Sequence, residues 1–139
     1  MRVKRTFSDG LPEELHVLEM RGPYALGNVP TVALREKPLM VGEKVTAGGY
    51  AAGKRTFASG YYVGNSSLLS VLHGFVGFNL TDGNGRYPLT PGASGGPVFD
   101  CEGMVVGALA RAYTGSPKYP GYPNVHGIPV NSFARTYRK

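Results

Sequence analysis

The stretch Thr90-Pro91-Gly92-Ala93-Ser94-Gly95-Gly96-Pro97-Val98-Phe99-Asp100 decides how this chain reads. A serine set among glycines and closed by a proline, just ahead of an apolar strand-like run, presents its hydroxyl on a tight turn. Glycine tolerates strained turn dihedrals and lets another group come close to the main chain. Unobstructed amides in such a turn can point into one hollow and stabilise negative charge on an oxygen. Ser94 is therefore the candidate nucleophile. The plain alternative is a Gly/Pro-rich β-turn with an incidental serine.

The residues Gly92-Ala93-Ser94-Gly95-Gly96-Pro97 resemble the Gly-x-Ser-Gly-Gly-Pro signature around the nucleophile of trypsin-like (chymotrypsin-fold) serine peptidases, of the high-temperature-requirement and viral type. Val98-Phe99, a Glu102-Gly103 turn and Met104-Val105-Val106-Gly107 continue the likeness. The resemblance implies two six-stranded barrels with the catalytic site between them. A chain of 139 residues holds one such barrel and little more.

The same resemblance implies roles for individual residues. Ser94 would attack a peptide carbonyl, with the Gly92 and Ser94 amides as the oxyanion hole. In Glu14-Leu15-His16-Val17-Leu18, Glu14 stands where the family carries the acid that orients the catalytic histidine, 80 residues before Ser94. Glu13 and Asp9 are rivals for that role, and the extra methylene of a glutamate would need a shifted backbone. Ala110-Arg111-Ala112 matches the stretch that pairs main chain to main chain with substrate, a strand addition whose affinity comes from backbone bonds. Pro88 and Leu89 would lie at the floor of the primary specificity pocket and offer no counter-charge to Lys or Arg. His126 would line its back and favour an acidic or amide side chain. Ala93 replaces the acid that receives a new amino terminus in digestive members, so activation by cleavage is not expected.

Composition agrees with an all-β class. The chain has 21 glycines, 11 prolines, 9 tyrosines and 6 phenylalanines, and apolar runs are short and divided by turn residues. The expected fold is an antiparallel Greek-key β-barrel, the second of a trypsin-like pair, preceded by an N-terminal β-hairpin. Residues 1–21 form the hairpin at the end of a first barrel, 22–31 a breaker-rich linker and 32–139 the C-terminal barrel. Strands are expected near Arg2–Ser8, Leu15–Met20, Arg55–Val63, Ser67–Leu80, Met104–Ala110 and Val125–Ser132, with Asp9-Gly10 as a hairpin-type turn. The run Pro38–Tyr50 resembles the family's second-barrel opening, where a Val-Gly-Glu turn leads into a strand ending in glycines. Asp82-Gly83-Asn84-Gly85 reads as a flexible loop. The tail Phe133–Lys139 reads as a short helix or a disordered end.

The single cysteine, Cys101, cannot form an internal disulfide and is expected to pack at a strand end. No metal or cofactor is implied. No run of 18 apolar residues and no charged-then-apolar leader is visible, which favours an intracellular or virus-associated setting away from membranes. A formal charge of +6 favours acidic partners without naming one. Basic clusters stand at Arg2, Lys4, Arg5 and at Arg135, Arg138, Lys139.

A base for Ser94 is harder to find. The histidines are His16, His73 and His126, whereas the family's catalytic histidine precedes the acid. His16 reads as a cross-strand or surface residue, and His73 as packed or at a pocket edge. The first reading is a serine endopeptidase acting on peptides or proteins, its base supplied by a missing N-terminal half or a second chain. The alternative is a catalytically inactive barrel that binds peptide, capsid or nucleic acid.

Overall fold

Lys44, Thr46 and Tyr50 face solvent while Val45, Ala47 and Ala51 are buried. This period-2 pattern makes a strand with one wet face and one dry one. The computed structural model describes residues 2–7, 17–21, 31–64, 75–89, 92–112 and 123–130. Its strands are β1 (Arg2–Phe7), β2 (Val17–Arg21), β3 (Lys44–Ala51), β4 (Lys54–Gly64), β5 (Val76–Thr81), β6 (Pro97–Phe99), β7 (Val105–Ala112) and β8 (Val125–Pro129). β1 and β2 form a separate two-stranded sheet. The other six close an antiparallel barrel in the order β3-β4-β5-β8-β7-β6. The all-β Greek-key barrel expected from the sequence is thus present.

Closure follows from the β5-to-β6 connection. β5 lies beside β8, while β6 lies beside β3, so the chain between them crosses the barrel end. The nucleophile loop is the last part of that crossing. Phe78, Leu80, Val98, Val106, Leu109 and Val125 fill the interior with the small residues Ala47, Ala58 and Ala93. β3 and β4 are joined by Ala52 (φ 50°) and Gly53 (φ 79°), the left-handed pair of a type I′ turn.

Two polar anchors hold the barrel ends. Asn124, 2% exposed, mimics a strand residue. Its side-chain oxygen accepts the Leu80 N–H at 2.8 Å, its Nδ2 donates to the Leu80 carbonyl, and its own N–H donates to Phe78 O at 3.0 Å. This carries the β5–β8 ladder past Phe78↔Val125. The second anchor is Arg35. Its guanidinium grips both oxygens of Glu43 at 2.7 and 2.8 Å, reaches Asp100 at 3.4 Å, and donates to the carbonyls of Lys37 and Pro38. Because Arg35 N–H also bonds Val105 O at 2.9 Å, it ties the segment before β3 to the ends of β3, β6 and β7. The Arg35 guanidinium, helped by the Met40 N–H, pulls the Glu43 carboxyl down to about 2.

Several expectations are corrected. Phe7 pairs with Val17, and Asp9-Gly10 lies outside the described residues. β2 runs on to Arg21, one residue past the expected end, while Leu15 and His16 lie outside the described residues. β5 starts at Val76 and runs to Thr81, and β8 ends at Pro129; residues 67–74 and 131–132 of the expected strands lie outside the described residues. The loop at Asp82 is a closed turn: the carboxylate accepts the Arg86 and Asn84 N–H groups at 2.9 and 2.8 Å, which lowers its pKa. Cys101 is exposed on the turn after β6, because Asp100 points inward to cap the Glu102 and Met104 amides instead. The linker 22–30 and the tail 133–139 lie outside the described residues.

Two outcomes are expected. Asn124→Ala strands the buried Leu80 N–H and carbonyl and lowers unfolding stability by about 2–4 kcal/mol, read by urea titration. A carboxyl with a depressed folded pKa stabilises above its unfolded value and loses that contribution as pH falls. The denaturation midpoint therefore drops between about pH 4.5 and about pH 2, and Glu43→Gln flattens that part of the profile.

Candidate active site

The serine loop is built by glycines at both kinds of position that require them. Gly92 (φ 107°) and Gly95 (φ 87°) turn the chain through left-handed backbone. Gly96 is needed for space: a Cβ there would run into the Gly48 carbonyl of β3. A side chain on Gly92 would come within 3.0 Å of Tyr50 O, and one on Gly49 within 3.4 Å of the Ala93 Cα and Cβ. The loop thus lies directly on the main chain of β3.

Its other side is zipped to β7. Gly95 N–H donates to Leu109 O at 2.7 Å, Leu109 N–H to Gly96 O at 2.8 Å, and Gly96 N–H to Ala93 O at 3.0 Å. Ser94 is exposed at the tip, while Ala93 beneath it is buried in the core. Among the described residues, the Gly92 and Ser94 N–H groups meet no backbone acceptor.

The Ser94 hydroxyl donates to Ala110 O at 3.0 Å. Ala110 is the extra residue of a bulge, since Leu109 pairs with Gly127 and Arg111 with His126. A bulged residue has no partner on that side of the ladder and re-aims the strand. The bulge is what the sequence did not disclose.

The structure brings Ser94, Gly92 and Ala110 together, with Arg111 and Ala112 continuing β7. His126 is buried at 2% exposure in the barrel wall opposite Gly77 and Arg111, its ring 6.4 Å from Phe75 and stacked at 24°. Leu89 is buried within the core cluster and Pro88 is half-buried. Glu14, its rivals Glu13 and Asp9, and His16 and His73 lie outside the described residues. Sequence reasoning missed Arg35 and Asn124, since neither stands in a motif. The pair Gly48-Gly49 was visible as a strand ending in glycines.

A family model of the trypsin-like peptidase domain matches residues 2–107. The chain belongs to that family. Among solved structures, the trypsin-like chain resembles kallikrein-related peptidase 10 at 17% identity and TM-score 0.62, over 96% of this chain and 69% of that one. An HtrA-type protease solved with a decapeptide matches at 22% identity and TM-score 0.54, over 73% and 30%. The inactive form of Rv3671c from M. tuberculosis, a serine-to-alanine mutant, matches at 15% and 0.52, over 88% and 56%. The chain thus spans less than a third of the HtrA-type protein and just over half of Rv3671c. Comparison with curated proteins gave no match.

The loop geometry predicts an ordering of substitutions. Gly96→Ala, which must push two main chains apart, is expected to cost more than about 2 kcal/mol. Gly95→Ala meets open space and costs only its left-handed backbone, about 1–2 kcal/mol. Urea denaturation of the two variants gives the comparison.

Proposed function

We propose that this chain is the nucleophile-bearing barrel of a serine endopeptidase of the high-temperature-requirement or viral type. The observation that carries the reading is Ser94 exposed on a glycine loop locked between β3 and β7, with the Gly92 and Ser94 amides beside it. In this reading Ser94 Oγ attacks a peptide carbonyl and passes its proton to a base. The two amides hold the oxyanion as the tetrahedral intermediate forms and collapses to an acyl-enzyme with loss of the amine, and water then releases the acid. Rigid donors of this kind typically contribute about 10²–10³ in rate each.

The peptide lies along Ala110–Ala112 as an added strand, as a main-chain ladder with open bonding groups allows. The HtrA-type neighbour was solved with a decapeptide, and a peptide is the matching substrate here. His126 and the apolar pair Pro88 and Leu89 shape the specificity pocket, which suits an acidic or amide side chain better than a basic one. Ala93, buried under the loop, takes the place of the activation acid and supports the non-digestive type. In this reading the base is a histidine of a missing N-terminal half or a second chain, oriented by Glu14.

Two observations favour a second reading, a barrel that binds peptide without cleaving it. The Ser94 hydroxyl donates to a main-chain carbonyl, and the one histidine among the described residues is buried against Phe75. A fluorophosphonate probe separates the two. The peptidase reading expects a covalent adduct on Ser94 by intact mass, absent from Ser94→Ala. An unlabelled protein, under conditions in which a trypsin-like enzyme reacts, leaves the binding barrel.

A further inference from the structure

The outer face of β3 and β4 carries a pattern that the serine loop does not use. Four cross-strand pairs lie along it in register: Lys44 with Tyr61, Thr46 with Ser59, Gly48 with Phe57, and Tyr50 with Arg55. Tyr50, Phe57 and Tyr61 are 60%, 62% and 49% exposed. Each is an outward residue of a strand whose inward residues already fill the core, so barrel packing does not account for these rings. The Phe57 ring stands over Gly48, its Cδ1 and Cε1 each 3.1 Å from the place of a Cβ. Gly48 therefore props a ring that remains open to solvent.

The charged residues of the two strands have one sign. Lys44 and Arg55 are exposed on this face and Lys54 at the hairpin end opposite Ala51, and β3 and β4 contain no Asp or Glu, the nearest carboxylates being those of Glu43, Asp100 and Glu102 around Lys44. The middle pair brings two hydroxyls together, Thr46 Oγ1 and Ser59 Oγ at 3.2 Å. At the Tyr61 end the face opens into a cleft of about 460 Å³ whose lining includes Lys44, Thr46, Ser59, Tyr61, Asn79 and Thr81. Same-face residues repeat about every 6.8 Å along a strand, so the four pairs span roughly 20 Å.

We propose that this face binds single-stranded nucleic acid, with Tyr61, Phe57 and Tyr50 as stacking platforms and Lys44 and Arg55 on the phosphates. Exposed rings spaced along a basic track are what an unpaired strand can use, because every base has a face to stack and every link a negative charge. A duplex hides its base faces, and an acidic peptide would use the cations while leaving the rings idle. The chain's net charge of +6 adds long-range attraction. The site is separate from Ser94 and does not depend on its chemistry.

Fluorescence polarisation of the whole chain with labelled oligothymidylate, the matching duplex and a polyglutamate peptide tests the proposal. The single strand is expected to bind most tightly, with log Kd rising against log salt at a slope of roughly 1.4 for two phosphate contacts. Phe57→Ala and Tyr61→Ala, both at exposed positions, each weaken binding by roughly 5-fold or more with unchanged thermal melting. Lys44→Gln and Arg55→Gln each lower the salt slope by roughly 0.7. Arg86→Gln, on the turn after β5, and Ser94→Ala leave binding as it was. The proposal is overturned if the single strand does not bind at low salt, if duplex or polyglutamate binds as well, or if the aromatic variants bind like the parent chain.

Discussion

The structure depends on two stretches of main chain lying against each other without side chains between them. Gly92–Gly96 sits on Gly48–Tyr50 so closely that a Cβ at Gly96 would collide with the Gly48 carbonyl. That approach places the loop on the barrel wall, and three hydrogen bonds then fix it: two to Leu109 of β7 and one back to Ala93. Nothing at the tip has to fold independently. Ser94 is presented by a rigid wall and not by a free loop, which a reacting group needs because small misplacements cost rate heavily.

Polar groups taken out of water set the ends of the wall. Asn124 completes a ladder that the β8 backbone does not reach, so both bonding groups of Leu80 are satisfied in the interior. Arg35 does similar work at the other end, where three chain segments meet and two carboxylates share one planar donor. Such groups are worth most through the penalty their loss would expose, since a buried donor or acceptor left alone costs more than the bond itself returns. The Arg35–Glu43 pair is bidentate, which adds direction as well as attraction.

The barrel uses its faces for different purposes. Inward residues of β3 and β4 are small, Val45, Ala47, Ala51 and Ala58, which brings the sheet close around Phe78 and Leu80. Outward residues of the same two strands include the rings of Tyr50, Phe57 and Tyr61 and the cations Lys44 and Arg55. One pair of strands therefore supports the serine loop through its glycine backbone and presents aromatic rings to solvent through its alternate side chains. A shift of one residue in register would exchange the two, so the β3–β4 pairing fixes both surfaces at once.

Much of this was legible along the chain. Gly92–Pro97 identified the loop, the likeness of Pro38–Tyr50 to a family strand and the β-prone run Arg55–Val63 pointed to β3 and β4, and glycines, prolines and short apolar runs pointed to an all-β barrel, because these signals are local. The carbonyl of Ala110, the ladder mimicry of Asn124 and the grip of Arg35 were not legible. Ser94 and Ala110 are 16 positions apart, Leu80 and Asn124 are 44, and Arg35 and Asp100 are 65. Cys101 and Asp100 show the same limit at one step: which of two neighbours turns inward depends on where the Glu102 and Met104 amides end up. The sequence by itself determined the loop, its glycines and the strand alternation. Only the tertiary structure decided what the serine hydroxyl touches, because a bulge and a six-stranded closure bring distant backbone to it.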